Sequence, residues 1–85
     1  MIERLVGQCA LKHDRAIVLD VRGVGYGVEM TETALLAIHV GAEITVWIHT
    51  HVSQDSMRLF GFPTHADRVL FSLLLSVSGV GPKAA

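Results

Sequence analysis

Six consecutive residues near the C-terminus, Ser78-Gly79-Val80-Gly81-Pro82-Lys83, carry the pattern most suited to binding chemistry. They follow an apolar helical run, which Gly79 is placed to end, because glycine is favoured just past a helix C-terminus. Gly81 permits a positive φ or a close backbone approach. Pro82 cannot continue a helix but is preorganised to start one at its first position. The expected product is a tight helix–turn–helix connection with almost no side chains at the bend. Backbone N–H groups of the turn and of the next helix's first turn are then open together, which makes an anion site suited to phosphate. Lys83 falls in that first turn, where its charge slightly opposes the helix dipole, and a nearby anion would explain its presence. A plain αα-corner needs the same glycines only to bend. On this stretch alone both readings stand.

Other residues offer less. His49 and His51 share one face of a strand, but no third metal ligand lies at useful spacing, and exposed strand histidines are the simpler reading. Gly23-Val24-Gly25-Tyr26-Gly27 has the look of a nucleotide-binding glycine loop, yet no helix follows it. Cys9 sits among apolar alternation and reads as a small core residue. Ser53-Gln54-Asp55-Ser56 is a polar turn in which Asp55 suits a bond to the backbone. No nucleophile, base and acid can be assembled into a catalytic set, so an enzyme is not expected, and no cofactor.

The elements that must position the glycine turn follow from periodicity. Leu5, Gly7, Cys9 and Leu11 alternate along a first strand, and Ala16 to Val21 forms a second after the break at His13-Asp14-Arg15. Tyr26 to Met30 alternates as a third beyond the glycines. Thr31 or Thr33 is placed to cap a short helix carrying Leu35, Leu36 and Ile38. The cleanest strand comes next, with Ile44, Val46, Ile48, Thr50 and Val52 on one face and Glu43, Thr45, Trp47, His49 and His51 on the other. Its length suits a small closed barrel, where one strand bends to serve several neighbours. Met57 to Gly61 returns as a fifth strand. The expected fold is mainly β, a five-stranded OB-like barrel in preference to an SH3-like one.

At Pro63-Thr64 the period changes from 2 to 3.6. Thr64 is placed as N-cap with Asp67 at the third helical position. Ala66, Val69, Leu70, Leu73, Leu74 and Val77 then form one stripe, widened by Phe71 and Leu75, and Arg68, Ser72 and Ser76 form the polar track. Such a helix is expected to be buried on most of its circumference, by a neighbouring chain or by residues beyond this sequence.

Composition sets the bounds. Over 85 residues the chain is 51% hydrophobic, and its 7 Lys+Arg against 8 Asp+Glu give a net charge of −1. Disorder is excluded by this apolar content, and a simple basic nucleic-acid module is not supported. One cysteine cannot close an internal disulfide, no apolar run is long enough for a membrane span, and Glu3 and Arg4 interrupt any leader. A cytoplasmic protein is expected.

Gly79-Val80-Gly81-Pro82-Lys83 after an apolar helix resembles the hairpin of a helix-hairpin-helix DNA-binding motif, which grips phosphates through backbone amides without reading bases. With it, Met1-Ile2 ahead of a strand, Gly23-Val24-Gly25-Tyr26, Leu59-Phe60-Gly61-Phe62 and the run from Leu73 to Lys83 resemble the RuvA family over the full 85 residues, in order and spacing. The resemblance implies a non-catalytic subunit that binds four-way (Holliday) junctions as a homotetramer. It also implies a RuvB-type ATPase motor as partner, engaged through a C-terminal domain. Residues 1–62 would be the barrel and residues 63–85 the start of the helix-hairpin-helix domain, so the sequence reads as the N-terminal part of a longer protein. Phosphate binding is implied for Gly79, Val80, Gly81 and Lys83. The family's acidic pin, a carboxylate pair between the last two barrel strands, falls on Gln54 and Asp55. Gln54 replaces the first carboxylate, roughly halving the pin's charge if charges simply sum. The alternative is an oligomerisation scaffold without DNA binding of its own, which the near-neutral charge and the uncovered apolar helix favour.

Overall fold

Two-residue turns shape the first half of the chain. The structure, a computed structural model, describes residues 1–78. Strand β1 (Arg4–His13) and β2 (Ala16–Val21) are joined through Asp14-Arg15, with Asp14 at φ 46°. Strand β3 (Val24–Glu29) follows β2 through Arg22-Gly23, at φ 51° and 91°. Positive φ at both central residues is what a hairpin of this length requires for its strands to keep their twist. Asp20 steadies that turn, its Oδ1 accepting the Gly23 N–H at 2.7 Å. Val24 and Gly25 therefore belong to β3, which starts earlier than the expected Tyr26, because the turn needs only Arg22 and Gly23.

Helix α1 (Glu32–Ala37) starts from Thr31, whose hydroxyl accepts the Ala34 N–H at 3.2 Å. The long strand β4 (Glu43–Val52) and β5 (Met57–Phe62) form the closing hairpin, and α2 (His65–Ser78) ends the described chain. The strands close as a barrel in the order β1-β2-β3-β5-β4. One edge of β4 pairs with β1 (Leu5 opposite Val46) and the other with β5 (Ile48 opposite Gly61). All pairs are antiparallel except β3 with β5, which meet in parallel at Glu29 and Phe60. This is the OB-like, mainly β architecture expected from the sequence.

Alternation fills the interior. Cys9, Ile17, Leu19, Val28, Val46 and Ile48 are fully buried, and Met30, Leu35 and Ile38 seal one end. The simple alternation of β1 fails at one point. A bulge between Cys9 and Leu11 adds a residue, so Leu11 turns outward, 53% exposed, and Lys12 moves to the inner register opposite Ile17. The Lys12 ammonium then reaches the barrel end and donates to the Ile38 carbonyl at 2.9 Å.

The short parallel seam between β3 and β5 is clasped by a bidentate ion pair. Arg58 donates from Nε and Nη2 to the two Glu29 carboxylate oxygens at 2.8 and 2.7 Å, and its guanidinium lies 4.9 Å from the Phe60 ring centroid. The hydrogen bonds from Arg58 hold the Glu29 carboxyl below its ordinary value near 4.5. A depressed carboxylate stabilises the fold above its unfolded value, and this contribution is lost as pH falls through the folded value. Stability is therefore expected to decline on acidification below about pH 4.5. Glu29→Gln should flatten that part of a pH series of urea midpoints; an unchanged slope would place the acid sensitivity elsewhere.

Candidate functional site

Two features converge on the β4–β5 hairpin: the turn at its tip and α2 laid across its outer face. The turn is held by its outer residues. Ser53 N–H donates to the Ser56 carbonyl at 2.8 Å, and the two hydroxyls meet at 2.8 Å. Gln54 and Asp55 project between them, both exposed. No hydrogen bond among the described residues involves the Asp55 side chain, so the turn does not use this carboxylate to hold its shape. Arg58, three residues on, is committed to Glu29.

Helix α2 starts at Thr64, whose Oγ1 accepts the Asp67 N–H at 3.1 Å, the cap expected from the sequence. Asp67 adds a favourable charge to the first turn. The His65 ring packs on Trp47 with centroids 4.8 Å apart, and Phe71 meets His49 at 5.3 Å, Phe60 at 5.6 Å and Phe62 at 5.0 Å. From Trp47 to His49 the contacts advance along β4 toward its turn, so α2 heads toward the barrel end that carries Gln54 and Asp55.

Periodicity sorts α2 into an apolar stripe and a polar track without saying which of them meets the barrel. Arg68 and Ser72 of the polar track lie inward beside Phe71, while Val69, Leu70, Leu73 and Val77 of the stripe are 38–83% exposed. Within this chain the helix is not buried on most of its circumference, the expected cover being a neighbouring chain or residues beyond this sequence. The reason lies on β4, whose outer face offers Trp47 and His49: aromatic rings and a polar nitrogen that aliphatic side chains would leave unpaired. Ser72 Oγ donates to the Arg68 carbonyl at 3.1 Å and meets His49 Nδ1 at 2.9 Å. Arg68 Nη2 lies 3.2 Å from His65 Nε2 and 3.8 Å from Glu3 Oε1. His49 and His51 are consequently half-buried, not the exposed strand histidines expected. Burial lowers the His49 pKa from its ordinary value, and the charges of His51 and Arg68 act in the same direction. The spacing of Arg68 and Ser72, one helical turn apart on an otherwise apolar helix, was the sequence signal for this seam.

Beside the seam lies a groove of about 620 Å³ between α1, the start of β4 and α2, lined chiefly by Met30, Ile38, Ile44, Phe62, Leu70 and Phe71. Among the described residues no group of three or more His, Cys, Asp and Glu side chains gathers as a metal site, and no helix is long and apolar enough to cross a membrane. Gly79, Val80, Gly81 and Lys83, the expected phosphate ligands, lie outside the described residues. What is described is the base that leads to them: α2, its seam and the neighbouring turn.

Residues 1–61 match the family model described as RuvA N terminal domain. Over its whole length the chain is 46% identical to the Holliday junction branch migration complex subunit RuvA of Geobacter sulfurreducens, covering 43% of that protein. The same subunit is 44% identical in Alkalilimnicola ehrlichii, with 41% covered, and 45% identical in Syntrophotalea carbinolica, with 43% covered. The chain thus spans less than half the length of these relatives.

Proposed function

The chain belongs to the RuvA family, and from that premise we propose that it is part of a non-catalytic, structure-specific DNA-binding subunit for four-way junctions. The observation that carries the reading is the match along the entire chain, hairpin segment included, to Holliday junction branch migration complex subunits. Residues 1–62 serve as the barrel domain and residues 63–85 open the helix-hairpin-helix domain. Backbone amides of Gly79, Val80 and Gly81 grip phosphate, with Lys83 as the adjoining cation. Amide contacts need little side-chain charge, which reconciles a net charge of −1 with a polyanionic ligand. Four protomers surround the junction, and the exposed stripe of α2 suits the subunit contacts such an assembly needs. The ATPase belongs to a RuvB-type motor, and the subunit works in the cytoplasm.

The test is an anisotropy titration of this chain, beside the Geobacter sulfurreducens protein, on a four-way junction and a duplex of equal length at matched salt. Tighter junction binding that weakens with salt is expected. Since each hairpin brings one cation, the log–log salt slope should be roughly −0.9 per engaged hairpin. Equal affinity for junction and duplex would sink structure-specific recognition. Failure of the chain to bind while the relative binds would leave these residues the scaffold role, a reading favoured by the apolar stripe and checked by light scattering.

Asp55 then stands at the junction centre as the remaining carboxylate of the pin, unpaired and exposed as a charge acting at a distance must be. Gln54→Glu is expected to raise the preference for junction over duplex, because a second carboxylate adds repulsion toward the crossover phosphates. Identical titrations of the variant and the parent would show that the pin acts through position and not charge.

A further inference from the structure

The seam beneath α2 is built so that one added proton works against it. Ser72 has a single hydroxyl hydrogen, which it donates to the Arg68 carbonyl, so toward His49 it acts as acceptor and His49 Nδ1–H is the donor. Nδ1 therefore carries a proton in the docked ring, and the charge state of the ring is decided at Nε2. Protonation at Nε2 would leave that hydrogen bond in place and add a positive charge to a half-buried ring packed edge-on against Phe71. A guanidinium already stands beside it: from α2 come Arg68, whose buried Nε has no partner, and the His65 ring at its Nη2; from β4 comes His51. From β5 come Phe60, the cross-strand partner of His49, and farther along Arg58, whose charge Glu29 matches. Glu3, in the N-terminal segment, is the carboxylate at this cluster; it lies 3.8 Å from Arg68, is itself 71% exposed and is directed to Arg68, not to His49.

We propose that α2 is a proton-released latch: protonation of His49 lifts α2 from the outer face of β4 and β5 while the barrel stays folded. Undocking restores water to the imidazole and separates it from Arg68, so the charged ring favours the undocked helix. The pKa of His49, lowered in the docked state mainly by burial, agrees in sign. A base with a depressed folded value contributes fully above its ordinary value near 6.5 and loses that contribution as pH falls to the folded value. The barrel is insulated, because its core cluster contains no residue of α2 and its five strands close on one another without it. The latch does not rest on the DNA-binding reading and needs no DNA to be observed, so either can fail alone.

Amide exchange of this chain followed by NMR at about pH 7.5 and about pH 5.5, with rates divided by their intrinsic values, tests the latch. The expected result is a severalfold loss of protection across α2 at the lower pH, with β1 to β5 unchanged. His49→Gln keeps a donor for Ser72 but does not titrate, and should make α2 protection independent of pH; His51→Gln should retain the loss. Constant protection of α2 in the parent, or the same loss in His49→Gln, would overturn the proposal. If His49→Gln loosens α2 at both pH values, the ring titration of the parent decides. A His49 midpoint below about 6.5 upholds the latch, and one at or above it overturns it.

Discussion

Gly7→Ala is expected to lower the unfolding free energy by about 3 kcal/mol, the upper part of the range for overpacking. A Cβ at Gly7 would stand 2.3 Å from the Asp20 carbonyl oxygen and 3.0 Å from its carbon. Both are backbone atoms, so no rotamer change relieves the clash. At this point β1 pairs with β4, Gly7 opposite Ile44, while its ladder with β2 begins one residue later at Gln8 and Asp20. The two ladders of β1 can coexist only if β2 comes this close. Moving Asp20 away would also strain its Oδ1 bond to Gly23 and so the β2–β3 turn. For a domain of this size the loss corresponds to a melting temperature lower by roughly 12–24 °C. Gly61→Ala should cost less, about 1–2 kcal/mol. Its Cβ would meet side chains only, Val28 Cγ1 at 2.5 Å and Met30 Cγ at 3.3 Å, so the buried Val28 must shift but no backbone ladder has to open. Thermal and urea unfolding of both variants give the comparison. If Gly7→Ala melts with the parent, β1 and β2 are free to separate here and the close approach does not constrain the barrel.

Much of the barrel was legible because each strand reports its own inner face. Ile17, Leu19, Val46 and Ile48 are core residues by alternation alone, and all four are fully buried. Thr31, one of the two threonines offered for α1, and Thr64 cap their helices, since a cap is a contact within four residues. Leu11 was misplaced because a bulge changes register without changing residue types: Cys9, Ala10 and Leu11 alternate on paper as well as any other three. The candidate site was legible in part. The Ser53–Ser56 turn fell where its polar run indicated, but the bonds that free Asp55 come from serines whose roles no spacing rule assigns. Which face of α2 meets the barrel was not legible, for a different reason. A helical stripe records which side is apolar, and burial of that side follows only when the surface opposite is apolar too. Here it is Trp47 and His49, and Arg68 and Ser72 match them better than leucine does.

That inversion fixes the second large effect. Phe71→Ala is expected to weaken the docking of α2 by about 2–3 kcal/mol, below the usual cost in a sealed core because the ring is half-buried. Phe71 is the one side chain of α2 that touches three other rings, His49, Phe60 and Phe62, at centroid distances of 5.0–5.6 Å. Each such pair contributes roughly 0.5–1.5 kcal/mol beyond burial, and all three go together. Leu73, two residues on, belongs to the stripe that a helical wheel would choose as core, yet it is 54% exposed. Leu73→Ala should stay within about 0.5 kcal/mol of the parent, as surface changes do. Amide exchange across α2 separates the two, because loss of docking exposes the helix before it touches the barrel strands. The reverse ranking, with Leu73→Ala costly and Phe71→Ala silent, would mean that α2 sits on the barrel by its aliphatic stripe. The polar seam, and the latch built on it, would then have no structural basis.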